Sequence, residues 1–171
     1  MHFKSIRDIK IMTNINQIFN EQIIVTDNPT ITQDATINAV VLEGSTINYT
    51  PYKNSNYVIY EYDFQLSFET SNTSDSYFLN GRMQEYNGSA WVDISNTGFC
   101  FYSDNDYKAT PVAYRMILDS WSGSKQIRLA LKGLTDGITI GYRVHNAYYA
   151  DSQDDTRKSQ AVTTIYSVIS E

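Results

Sequence analysis

The chain has 171 residues, with 13 Lys+Arg against 19 Asp+Glu for a formal net charge of −6, and its length suits one domain plus an appendage. Apolar residues make up 42% and aromatic ones 13%, enough to bury a sizeable core and to exclude wholesale disorder. The acidic balance disfavours nucleic acid and anionic membrane as partners, a single cysteine excludes an intrachain disulfide, and no Cys/His cluster is there to hold zinc, so no cofactor is expected.

Ile, Val and Thr far outnumber Ala and Leu, a bias toward the stiff side chains that suit strands. At the start of the chain Phe3, Ile6, Ile9, Met12, Ile15 and Ile18 recur every three positions, which keeps a broad apolar side over short stretches and predicts a short helix near 13–22. Two uses of that side stand open: packing on its own domain, or an arm that buries Phe3, Ile6, Ile9, Ile15 and Ile18 against another subunit. No run approaches the roughly 18 apolar residues of a membrane span, and the opening Met1 to Arg7 leads into no export signal. After Asn28-Pro29, the pieces Thr30-Ile31-Thr32, Thr36-Ile37-Asn38 and Thr46-Ile47-Asn48 are β-prone but interrupted by polar residues, the pattern of a connector. Residues 1–50 therefore read as an N-terminal anchor arm and connector, and 51–171 as the folded domain.

From Tyr52 onward the alternation is clear. Val58, Tyr60, Tyr62, Phe64, Leu66 and Phe68 take every second position while Glu61, Asp63, Gln65 and Ser67 point the other way, the period of a half-buried strand. Further strands are expected around 76–86, 90–94, 98–103, 111–119, 126–132, 138–149 and 162–169. Asn87-Gly88-Ser89, Ser122-Gly123-Ser124 and Asp136-Gly137 supply turns, because Gly and Asn accept positive φ at little cost. Eight or more short antiparallel strands without helical patterns between them define an all-β, two-sheet antiparallel jelly-roll sandwich. Cys100 is expected in its core as a small apolar residue.

Catalysis has little to work with. Besides His2 near the start, His145 is the one candidate general base, and neither a nucleophile elbow nor a metal-binding His pair is present. On the strand predicted at 138–149, Ile138, Ile140, Tyr142 and Val144 share one face, which leaves Arg143 and His145 on the other. Glu61 and Asp63 face outward on their own strand, so these four residues can form a charge ladder across strands or subunits; a solvated surface is the plain alternative. Asp104-Asn105-Asp106 and Asp151, Asp154 and Asp155 lack the closing Glu of a calcium loop and read as turns. Trp91 and Trp121 flank turns, where each either offers a flat face to a sugar or packs into the core or a hairpin. Fourteen tyrosines, seven phenylalanines and two tryptophans are many for one sandwich to bury, so some are expected in interfaces unless one core takes them all.

The strings Thr46-Ile47-Asn48-Tyr49-Thr50-Pro51, Val58-Ile59-Tyr60-Glu61-Tyr62-Asp63-Phe64, Lys125-Gln126-Ile127-Arg128-Leu129 and Arg143-Val144-His145-Asn146, in that order and followed by a β-rich end, resemble phage virion knob domains. Those look like the trimeric tumour necrosis factor-like jelly roll. The resemblance covers about residues 46–171 and rests on strand order and short strings. It implies a homotrimer with a non-enzymatic role on the virion, either capsid decoration or head-fibre knob held to other virion proteins by the arm. A receptor- or host-glycan-binding tail-fibre tip is the alternative. A short segment before the knob favours decoration, since a fibre needs a long shaft.

Overall fold

The computed structural model describes residues 17–26, 31–35, 39–69, 77–103, 110–133, 140–144 and 161–169, and is all-β over these. In chain order the strands are Gln17–Thr26 (β1), Ile31–Ala35 (β2), Val40–Val41 (β3), Ile47–Tyr49 (β4), Tyr57–Glu69 (β5), Tyr77–Tyr86 (β6), Trp91–Asp93 (β7), Phe99–Ser103 (β8), Thr110–Asp119 (β9), Lys125–Gly133 (β10), Ile140–Val144 (β11) and Ala161–Ile169 (β12). Every pairing is antiparallel, and the strands form two sheets that pack face to face as a sandwich.

Several of these segments are pieces of one strand track. β12 and β11 lie end to end along β5, and β1 and β2 follow them on the far side; β3 and β4 share one edge of β10, and β7 and β8 share one edge of β6. Joining these four pairs reduces twelve segments to eight tracks, ordered 1-8-3-6 in one sheet (β1, β12, β5, β9) and 2-7-4-5 in the other (β4, β10, β6, β8). First lies beside last and second beside seventh, which is the nested wrapping of a jelly roll.

The interior follows from the alternation. Val58, Tyr60, Tyr62, Phe64 and Leu66 of β5 are buried against Leu79 and Met83 of β6 and Ile127, Leu129 and Leu131 of β10, with Ile165 of β12 among them. Burying tyrosine requires a partner for each hydroxyl, and for three of the four here that partner is a backbone carbonyl of an irregular segment. Tyr60 donates to Ser45 O (2.6 Å), Tyr62 to Glu43 O, and Tyr114 to Thr97 O (3.2 Å), while Tyr49 pairs with Ser167 Oγ at 2.7 Å. Residues 42–45, which interrupt the β3/β4 track, are locked further by Ser45 Oγ, which accepts from Leu129 N at 3.0 Å, and by Thr163 Oγ1, which donates to Gly44 O at 2.7 Å. The tyrosine excess thus has a structural use inside one sandwich.

Three expectations are corrected. Of the helix expected near 13–22, residues 17–22 are strand and 13–16 lie outside the described residues: the isoleucine-rich segment pairs with β12 along most of its length, and sheet pairing overrides the three-residue spacing. The piece at residues 46–48, taken as connector, runs into strand β4, whose Ile47 and Tyr49 alternate inward around exposed Asn48 and are buried in the core, as is Leu42 before them. Cys100 is exposed, because Phe99 and Phe101 on either side turn toward the core and strand parity sends the residue between them outward. Each strand expected from residue 52 onward is present over its described residues, with 76, 138–139 and 145–149 lying outside them. Asn87 closes its turn by accepting from Ser89 N and Ala90 N, with Gly88 at φ +96°, and Gly123 sits at φ +78°. Asp136-Gly137 lies outside the described residues.

Gly81 of β6 is a close approach rather than a turn. A Cβ there would stand 1.9 Å from Cζ of Phe99, whose ring also packs on Tyr114 and Phe101 at centroid distances of 4.6 and 5.3 Å. Gly81→Ala should therefore cost about 1–3 kcal/mol in urea unfolding, the range for overpacking a core. Adding Phe99→Leu should return part of that loss. Equal stability of Gly81→Ala and wild type would show that the ring does not cover the glycine.

Candidate functional site

The outward face of the β1-β12-β5-β9 sheet is built by register. Residues directly opposite share a face, and four rows can be followed across it. Ile18, Val168, Tyr57 and Asp119 form one row; Tyr166, Ile59 and Ile117 the next; Ile23, Thr164, Glu61 and Arg115 the third; Val25, Val162, Asp63 and Ala113 the fourth. Solvated sheet faces carry polar residues at such positions. Here Ile117 is 61% exposed, Ile23 58%, Ile18 57%, Val25 50% and Tyr57 42%, and Ile59, Tyr166 and Val168 form a separate small cluster beside them.

One edge of this face depends on a bulge. Between Phe19 opposite Ser167 and Gln22 opposite Ile165, the two β1 residues Asn20 and Glu21 stand against the single residue Tyr166, and Asn20 has φ +51°. The extra residue reverses strand parity, so that even-numbered Ile18 and odd-numbered Ile23 and Val25 all face outward.

Within the apolar rows lies one ion pair. Arg115 Nε is 3.0 Å from Glu61 Oε1; Arg115 Nη2 donates to the Tyr166 hydroxyl at 3.0 Å, and that hydroxyl donates to Glu61 Oε1 at 3.3 Å. Burial pushes the Tyr166 hydroxyl pKa up, and the Glu61 carboxylate adds to the shift while Arg115 opposes it. With the apolar Ile59 and Ile117 on one side and Thr164 and Asp63 beside it, this charged pair fixes orientation when a partner covers it, because it tolerates only a complementary surface.

Of the four charged residues singled out in the sequence, Glu61 and Asp63 are on this face. Arg143 is opposite Ser67, six positions along β5 from Glu61, or about 20 Å at the strand rise of about 3.3 Å per residue, so the two are not neighbours in the sheet. His145 lies outside the described residues. Arg115, the partner that Glu61 does have, escaped sequence reasoning. Ala113, Arg115 and Ile117 alternate with Val112, Tyr114, Met116 and Leu118, but only the register with β5 sets Arg115 beside Glu61.

Among the anchor residues, Ile18 is on β1 and contributes to the exposed face, whereas Phe3, Ile6, Ile9 and Ile15 lie outside the described residues. A cut after residue 28 would remove a paired strand, so a truncation that tests anchoring belongs before Gln17. Trp91 is half-buried, with Arg128 Cζ 3.9 Å above its ring and Tyr86 at 5.5 Å. Trp121 packs on the core edge-on to Tyr49 at 6.0 Å, with Lys125 over its ring. Trp91 thus packs in the β6–β7 hairpin, and Trp121 packs against the core where the chain crosses from β9 in one sheet to β10 in the other. No group of three or more His, Cys, Asp or Glu suited to a metal occurs among the described residues, and both Asp groups at 104–106 and 151–155 lie outside them. No protein-family model matches the chain, and no curated protein matches it. What fold and face define is a jelly-roll sandwich with one apolar, ion-paired outer sheet.

Proposed function

We propose that this chain is a non-enzymatic phage virion protein, a homotrimeric knob that decorates the capsid and is anchored by its N-terminal residues, Phe3, Ile6, Ile9 and Ile15 among them. The observation that carries the reading is the outward face of β1, β12, β5 and β9. Contiguous exposed apolar residues rimmed by polar ones mark interaction surfaces, and closed cyclic assembly of identical chains is the common way to cover such a surface. The nested strand order supports it as well, because it is the wrapping of the knob domains that the sequence resembles.

Sedimentation equilibrium of the full chain tests the assembly. The expected result is three times the 19.5 kDa protomer mass. Ile117→Lys, at the most exposed apolar position of the face, should shift the protein to the protomer mass with an unchanged far-ultraviolet spectrum. A wild-type protein that stays monomeric up to high-micromolar concentration, or an Ile117→Lys variant that assembles like wild type, overturns the trimer. Imaging labelled protein on intact particles tests the location: label spread over the head is expected, and label confined to the tail replaces capsid decoration by a fibre tip.

A further inference from the structure

At the open side of the sandwich, where edge strand β1 faces edge strand β4, lies a groove of about 450 Å³ lined by Asn20, Glu21, Gln22, Asn48, Thr50 and Ser124. All six residues are polar, and the groove is built by specific devices. The bulge takes Asn20 and Glu21 out of the alternating ladder, and the positive φ of Asn20 is one that asparagine tolerates better than most residues. Ser124 Oγ donates to Asn48 Oδ1 at 2.5 Å, which orients the amide and leaves its NH2 group free to donate. Asn20 Nδ2 reaches Thr50 O at 3.4 Å, which leaves its carbonyl oxygen as an acceptor. Lys125, next to Ser124, is engaged 2.6 Å from Glu85 and brings no charge to the groove.

The donor set defines the ligand class. Three carboxamides, one carboxylate and two hydroxyls offer donors and acceptors side by side, which matches a ligand whose every hydroxyl both gives and accepts a hydrogen bond. No Lys or Arg lines the groove, so a phosphate or other anion has no counter-charge there. A single carboxylate is too little for calcium, which takes six to eight oxygens and favours several acidic ligands. No apolar wall suits a hydrophobic guest. The volume lies within the range of about 300–1,000 Å³ typical of small-molecule sites. Tyr52, two residues beyond Thr50, is stacked on Phe19 at 4.3 Å and 40% exposed, a rigid ring beside the bulge for the apolar face of a sugar. We propose that this groove is a subsite for an uncharged saccharide. The inference stands apart from trimer formation, since every lining residue belongs to one chain.

The test is titration of the ¹⁵N-labelled full chain with methyl glucoside, methyl galactoside, N-acetylglucosamine and N-acetylneuraminic acid, read by the side-chain amide resonances. At least one neutral sugar should shift the Asn48 and Gln22 amides and saturate in the millimolar range. Gln22→Ala and Asn48→Ala should each weaken that sugar about three- to tenfold, the effect of one lost hydrogen bond, while Trp91→Ala leaves it unchanged. Both substituted side chains are on exposed residues, and the wild-type shifts carry the result even if one variant unfolds. The proposal is overturned if no neutral sugar moves these amides at about 50 mM, far above a millimolar dissociation constant. It also fails if shifts gather at the indoles of Trp91 and Trp121, or if N-acetylneuraminic acid binds more tightly than every neutral sugar.

Discussion

Raising the pH through about 10 should unfold this protein steeply, because three core tyrosines keep their protons as long as the fold lasts. Burial pushes the hydroxyls of Tyr60, Tyr62 and Tyr114 well above their ordinary value of 10.0; neighbouring Tyr62 raises Tyr60 further, and the Glu43 carboxylate raises Tyr62 further. In the unfolded chain the same groups ionise near pH 10. A folded-state pKa that is raised contributes stability that is complete below the unfolded value and is lost as pH climbs toward the folded one. Each tyrosine then costs about 1.4 kcal/mol per pH unit above 10, so three cost about 4 kcal/mol per unit and about 8 kcal/mol by pH 12. That is comparable with the whole stability of a typical domain, about 5–15 kcal/mol. Urea unfolding at pH 9, 10, 11 and 12, alongside ultraviolet tyrosinate absorbance, measures it. The absorbance of the buried set should appear together with loss of the β spectrum. Tyr62→Phe should reduce the alkaline slope by about a third, even though it leaves Glu43 O without that donor. Titration of all fourteen tyrosines through an intact fold would show that these hydroxyls are not buried.

The elements after residue 52 are legible where a strand carries apolar residues on one face and polar ones on the other, so that period-two alternation is written directly in residue type. Val58 to Leu66 is the clearest instance, and the turns at Asn87 to Ser89 and at Gly123 followed from residues that accept positive φ. What parity alone does not carry is register. Ile18, Ile23 and Val25 show no common period, and only the bulge at Asn20 and Glu21 puts them on one face. Glu61 and Arg115 are 54 residues apart in sequence and meet through the pairing of β5 with β9, a contact that neither strand announces by itself. Tyr49 and Ile47 looked like connector because their strand is only three residues long, and their burial comes from β10 beside them. Cys100 differs for the opposite reason: cysteine as a residue type prefers burial, but the parity set by inward Phe99 and Phe101 turns it to solvent.

Arg115→Ala separates an assembled face from a solvated one. In a single chain, Arg115 and Glu61 have side chains 58% and 31% exposed, and ion pairs this open contribute about 0–1 kcal/mol. Covering the face with another subunit removes water from both charges. Deleting Arg115 then leaves the Glu61 carboxylate buried with the Tyr166 hydroxyl alone, and breaking a buried pair in this way costs about 3–5 kcal/mol. In the proposed trimer the variant should dissociate at concentrations roughly a hundredfold to several thousandfold higher than wild type at each interface. Its protomer should meanwhile unfold within about 1 kcal/mol of wild type, as expected of an exposed pair. Glu61→Gln in the same chain removes the stranded charge and should recover part of the loss, whereas Arg143→Ala, six positions further along β5, leaves this pair intact. Sedimentation equilibrium over a dilution series reads all three variants. If Arg115→Ala assembles within about twofold of wild type, inside the scatter of about 0.5 kcal/mol for ordinary surface sites, then the Glu61–Arg115 pair stays in water and the subunits meet elsewhere.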